Sequence, residues 1–164
     1  MRWANQIPVA SGVIGTHTDK KACVDLAFRR DLHSFDFIEL KMSSAAGHVL
    51  YAVIEALRYG VLYLFSRRNA RDLGYVIGES GLLGARDVRL VVLAPTAYFS
   101  EAPSTWLQTL CDDMNTGLAT QVARLGLDTL SMRVDLERFP DWFRWPASDN
   151  DLVRAMLERD RVCP

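Results

Sequence analysis

The chain has 164 residues, 49% of them hydrophobic and 24% charged, and carries a formal net charge of −1. That length and apolar content describe one compact domain, residues 1–164, with enough chain to bury a sizeable core. The near-zero charge excludes overall basicity as the means of holding nucleic acid, so such binding would need a local patch, a metal or a partner.

In chain order, Gln6 to Ile14 reads as a first strand, which Pro8 restricts to a sheet edge or to the strand's beginning. Lys21 to Arg29 and Phe35 to Met42 read as two more strands, joined by the polar turn from Arg29 to Ser34. Ser43 or Ser44 is placed to cap a helix. From Ala45 to about Arg68, Val49, Val53, Ile54, Leu57, Val61 and Phe65 recur at helical spacing. A segment with Gly74, Gly78, Gly81 and Gly84 leads into Val88 to Ala94, apolar almost throughout, as in a strand covered on both faces. Ser104 or Thr105 opens a helix that runs to about Leu125, with Gly126 placed to end it. Leu127 to Leu136 resembles a strand, Phe139 to Pro146 an aromatic loop, and Asn150 to Arg161 a terminal helix. The order β-β-β-α-β-α-β-α predicts an α/β sandwich around a mixed sheet, with a core at about residues 6–136 and a C-terminal loop and helix at 137–164.

Three cysteines, Cys23, Cys111 and Cys163, are widely spaced and make neither a zinc signature nor a disulfide framework. That usage predicts a reducing, cytoplasmic setting. Residues 1–10 lack the apolar run of a signal peptide. The longest apolar stretch, Val49 to Phe65, carries Glu55 and Arg58 in its middle, so no membrane association is predicted.

The hairpin holds the chemistry. If it is symmetric about Leu32, Asp25 lies opposite Glu39 and Cys23 opposite Lys41. Alternation then puts Glu39 and Lys41 on one side of the strand, with Ile38, Leu40 and Met42 on the other. Paired carboxylates would have Cβ atoms about 5 Å apart, an arrangement that destabilises a sheet unless a cation sits between them. A divalent metal or the nearby lysine would serve. The plainer reading is a solvated strand face with alternating charges. Against it, Phe35 and Phe37 share the Glu39 side, so the strand is apolar on both faces, a poor setting for casual charges.

Asp25, thirteen intervening residues and Glu39-Leu40-Lys41 on a hairpin followed by a helix resemble the PD-(D/E)XK nuclease superfamily over roughly residues 6–94. The resemblance implies a restriction-endonuclease-like fold, a three-layer α/β/α sandwich with a mixed central sheet. It also implies Mg²⁺-dependent hydrolysis of DNA phosphodiesters, with Mn²⁺ as a substitute. By the same resemblance Asp25 and Glu39 are metal ligands, Leu40 offers its backbone carbonyl, and Lys41 is the catalytic lysine. Some branches carry Gln-x-x-x-Tyr on the following helix, where this chain has Glu55-Ala56-Leu57-Arg58-Tyr59. Glu55, Arg58 and Tyr59 are therefore candidates for substrate contact, together with His48 at the helix start, for which capping is the alternative. The chain departs from the pattern in having Val24 before the aspartate and only Met1 to Asn5 ahead of the first predicted strand, where the superfamily usually has a helix.

Such chemistry needs these residue types. Hard carboxylate oxygens hold Mg²⁺ and leave it coordination sites for water and phosphate, and a lysine within reach adds a point charge. Asp36, of opposite parity to Glu39, reads as a strand-entry residue, and Asp31 and His33 as turn residues. Arg67, Arg68 and Arg71 complement the helix dipole or touch a nucleic-acid backbone. Trp142, Phe143 and Trp145 pin the C-terminal segment, form an interface or stack on bases. The alternative to a nuclease is a catalytically inactive nuclease-like domain that binds a protein partner, and a homodimer fits either.

Overall fold

The computed structural model describes residues 3–8, 23–43, 46–78 and 81–163. Six strands form one open mixed sheet in chain order: β1 (Trp3–Pro8), β2 (Cys23–Arg29), β3 (Ser34–Leu40), β4 (Asp87–Ala94), β5 (Ser131–Arg138) and β6 (Asp160–Arg161). The pairs β1–β2, β2–β3 and β5–β6 are antiparallel, while β3, β4 and β5 run parallel. Four helices accompany them among the described residues: α1 (Val49–Arg68), α2 (Thr96–Phe99), α3 (Ser104–Arg124) and α4 (Asp149–Leu157). Parallel neighbours require a crossover; α1 joins β3 to β4, and α2 with α3 joins β4 to β5.

β4 is buried from Val88 to Ala94, as its unbroken apolar run predicts. Its side chains divide by parity. Leu90 and Val92 join Ala52, Val53 and Ala56 of α1 and Leu110 and Val122 of α3 in one apolar cluster. Val91 and Leu93 join Phe139, Phe143, Ala155 and Met156 in a second, on the opposite face. Gly60 lets α1 come close to the sheet, because a Cβ there would stand 2.5 Å from Leu90 Cδ1. By length and composition α1 is apolar enough to cross a bilayer. Half of that character belongs to the face packed on the sheet, and the rest is exposed at Leu50, Tyr51, Ile54, Val61 and Phe65.

Several boundaries differ from expectation. The long helix starts at Val49 rather than Ala45, because Gly47 takes φ +97° and the cap is His48, whose Nδ1 accepts from the Leu50 N–H at 3.2 Å. Ser43 is not the cap, and Ser44 lies outside the described residues. β5 begins at Ser131 because Leu127 to Leu130 close a turn (N–H of Leu130 to the Leu127 carbonyl, 2.8 Å). Gly126, at φ +64°, follows the end of α3 as predicted. The terminal helix stops at Leu157, and the chain then pairs with β5 as β6 instead of continuing helically to Arg161. β1 begins at Trp3, three residues before the predicted Gln6; of the predicted strand, residues 9–14 are outside those described, as are Lys21 and Ala22 ahead of β2. Asn115 of α3 holds the outer edge of β5: its Oδ1 accepts from the Val134 N–H at 2.7 Å and its Nδ2 donates to the Val134 carbonyl at 3.2 Å.

Asp36 is not a strand-entry residue. Its side chain is 0% exposed and is the hub of an ionic network on the α4 side of the sheet. Arg89, its neighbour in the β3–β4 register, donates to both carboxylate oxygens at 2.8 and 2.6 Å. Arg30 donates to Oδ1 at 2.7 Å and Arg159 to Oδ2 at 2.6 Å. Arg89 also reaches Glu137 at 2.7 Å, and Arg159 grips the other oxygen of Glu137. Burial alone would lower Arg89's pKa, but these carboxylates outweigh it and hold the group above its ordinary value. Removing one partner from such a cluster strands the others. Asp36→Asn is therefore expected to lower the unfolding free energy by about 3–5 kcal/mol, measured by urea denaturation at neutral pH. A loss below about 1 kcal/mol, the scale of a surface pair, would show that the network is not a structural hub.

Candidate functional site

The β2–β3 hairpin has the register that symmetry about Leu32 predicts, with Arg29 opposite Phe35, Ala27 opposite Phe37 and Leu26 opposite Ile38. The ladder ends at Leu26. Asp25, level with Glu39, instead extends its side chain, and its Oδ2 accepts from the Leu40 N–H at 2.9 Å. Cys23 and Lys41 are not ladder partners, because the Lys41 N–H turns to the Leu93 carbonyl of β4 at 2.9 Å. Asp25 is thus tied to the strand carrying Glu39 and Lys41, at the carboxyl end of β3.

Glu39 is 5% exposed, and both of its oxygens have donors. Lys41 Nζ binds Oε1 at 2.7 Å and the Tyr59 hydroxyl donates to Oε2 at 3.1 Å. Lys41 also donates to Glu55 Oε2 at 2.6 Å, so its ammonium bridges a strand carboxylate and a helix carboxylate. Glu55 and Tyr59 reach the same spot because residues four apart share a helix face. Burial raises the pKa of Glu39, and the charge of Asp25 adds to the rise against the opposing pull of Lys41. Burial works to lower Lys41, but Glu39 and Glu55 prevail and keep it above the ordinary lysine value. Lys41 is therefore a fixed cation. Tyr59 is raised too, first by burial and then by the Glu39 charge.

Of the remaining candidates, His48 caps α1 through Nδ1 and lies edge-on to Trp106 at 5.7 Å. Arg58 is on the exposed face of the helix, about 100° of helical turn from Tyr59. Leu40 contributes its N–H to Asp25, and its side chain packs on the opposite face. Arg67 takes a structural role, donating to the Tyr63 hydroxyl at 3.0 Å and to the Ala85 carbonyl.

Sequence reasoning passes over Tyr98. It sits on α2, just past the end of β4, and burial, helped by the charges of Glu55 and Glu39 against the opposing pull of Lys41, raises the pKa of its hydroxyl. That hydroxyl is buried and finds no hydrogen-bond partner among the described residues. A buried hydroxyl without a partner is uncommon and calls for a physical reason. The signal available in the sequence was its place in the segment that leaves a buried strand's carboxyl end.

Among the described residues no group of three or more His, Cys, Asp or Glu side chains is arranged to hold a metal. The donors present are the two carboxylates Asp25 and Glu39, with Glu55 reached through Lys41. Comparisons with protein-family profiles, with characterised proteins and with solved structures find no match.

Two outcomes follow for this cluster. Tyr59→Phe leaves a buried Glu39 oxygen without its donor and is expected to lower stability by about 1–3 kcal/mol in urea denaturation. Because the folded state raises the Glu39 pKa above 4.5, the native chain binds that proton more tightly than the unfolded chain. The Glu39 contribution therefore falls as pH rises through the window starting near 4.5. Stability measured from acid to neutral pH should lose that component in Glu39→Gln, and equal slopes in the two proteins would refute the assignment.

Proposed function

We propose that this chain is a Mg²⁺-dependent nuclease of restriction-endonuclease-like, three-layer architecture, hydrolysing DNA phosphodiesters at Asp25, Glu39 and Lys41. The observation that carries the reading is the convergence of these three groups at the carboxyl end of β3, with Glu55 and Tyr59 of α1 over them. Asp25 and Glu39 are hard oxygen donors suited to Mg²⁺.

A bound Mg²⁺ would neutralise phosphate charge and acidify a water molecule. The chain's own residues do the rest. The Leu40 N–H orients Asp25, and Tyr59 and Lys41 orient Glu39, so the two carboxylates are positioned before substrate arrives. Lys41, held protonated, serves as a cation against the charge developing on the phosphate and not as a base. The water oxygen bonds to phosphorus, and the ester oxygen leaves with a proton.

A second reading, a non-catalytic module that binds a protein partner, draws on a different observation. The outward face of α1 exposes Leu50, Tyr51, Ile54, Val61 and Phe65, with Tyr51 at 68%, and apolar faces of that kind mark interaction surfaces.

The deciding experiment is nicking of supercoiled DNA with Mg²⁺ or Mn²⁺. Lys41→Ala and Glu39→Ala are each expected to reduce the rate by roughly 10²–10³-fold, the usual effect of deleting one preorganised charge contact. Thermal unfolding with and without Mn²⁺ accompanies it, since an ion bound only by the folded state must stabilise it. Absence of both cleavage and metal stabilisation in the wild type would move the assignment to the partner-binding module.

A further inference from the structure

β3, β4 and β5 run parallel, so their carboxyl ends share one edge of the sheet. In open α/β sheets that edge is where ligands are received. Two features sit there. One is the Lys41 cluster, toward α1. The other is a cleft of about 450 Å³ whose lining includes Met42, Thr96, Asp141, Phe143, Arg144 and Trp145. Its size falls within the range of small-molecule sites, roughly 300–1,000 Å³. Met42 directly follows Lys41, about 3.8 Å away between Cα atoms, but packs on the opposite face of the sheet, so the cleft and the charged cluster flank the same strand end from its two sides.

The lining has the character of a planar-ligand site. Phe143 is buried and stacked on Phe139, ring centres 4.4 Å apart, which makes a rigid wall. Trp145, in contrast, is 55% exposed beside a concavity. Thr96 Oγ1 donates to Asp141 Oδ1 at 3.1 Å, and Arg144 Nη1 donates to the Asp141 and Phe143 carbonyls, so an acceptor and a cation are fixed next to the aromatic faces. Every base has a face that stacks on an aromatic ring, carboxylates accept from the amino group of cytosine, and a guanidinium suits the phosphate alongside.

We propose that this cleft is a nucleobase subsite that takes one unpaired base of a nucleic-acid strand, most favourably one with an exocyclic amino group, while the adjoining phosphate lies at Lys41. The placement of the phosphate rests on the nuclease reading above; the base subsite is a separate claim. Trp145 forms the open side of the stack, Phe143 its fixed wall, and Asp141 the acceptor for the base edge. Single strands are preferred over duplex, in which stacking withholds the bases.

The test is an anisotropy titration of a short labelled single-stranded DNA rich in cytosine, in EDTA so that nothing is cleaved. Wild type is compared with Trp145→Ala, Asp141→Asn and, as a control outside the cleft, the exposed aromatic variant Tyr75→Ala. Trp145→Ala is expected to weaken binding roughly 5- to 150-fold, the equivalent of about 1–3 kcal/mol for one stacked base. Asp141→Asn should weaken the cytosine strand more than a thymine strand, and Tyr75→Ala should leave binding unchanged. Failure of the wild type to bind, or equal binding by wild type and Trp145→Ala, overturns the subsite even if DNA is cleaved in Mg²⁺. Trp145-dependent binding without cleavage supports the subsite and removes the nuclease reading instead. Competition by deoxycytidine monophosphate as effective as by the strand would assign the cleft to a free nucleotide and overturn the strand-binding claim.

Discussion

The bond between Asp36 and Arg89 fixes more of this protein than any other contact. It joins two adjacent strands at one register position, through a carboxylate with no exposure and a guanidinium nearly as buried. A strand slipped by one residue would turn its charges to the other face, and here that would drive Asp36 into the apolar layer beneath α1. The same parity sends Glu39 to the α1 side. β3 therefore carries one charged cluster on each face, and the sheet insulates them from each other. The network adds specificity of register more than stability, since buried ion pairs gain little over apolar packing yet are costly to break.

The α1 side uses the opposite economy. The Lys41 ammonium bridges two carboxylates, Glu39 and Glu55, while Asp25 is held by the Leu40 N–H. Burial, with the Asp25 charge adding to it, leaves Glu39 with a raised pKa despite two donors. Lys41 holds the carboxylates apart from each other and together on one side of the strand. Gly60 matters for the same reason, because the closeness of α1 to Leu90 sets how far Glu55 and Tyr59 reach down to the strand.

Local sequence revealed what local forces decide. The polar turn between Arg29 and Ser34 set the hairpin register and so the relation of Asp25 to Glu39. The four-residue step from Glu55 to Tyr59 placed both over the strand end, and the apolar run at Val88 marked the central strand. What stayed hidden depends on partners far along the chain. Arg89 and Arg159 meet Asp36 across 53 and 123 residues, and no local pattern announces either pairing. β6 is only two residues long, and β5 rather than its own propensity makes it a strand. Tyr98 is easily passed over for a similar reason, since α2 takes its place only from where β4 ends. Gly47 was legible in principle, and helix periodicity alone concealed its effect on the start of α1.

An open sheet has two margins at which another chain's strand can add. On the β5 margin the Val134 amide and carbonyl are both engaged by Asn115, and the Leu136 carbonyl accepts from Val162 at 2.8 Å. A side-chain amide there does the work of a seventh strand. Edge-to-edge pairing is blocked along the stretch of β5 that β6 leaves uncovered. Replacing Asn115 would leave the Val134 amide and carbonyl bare at that margin.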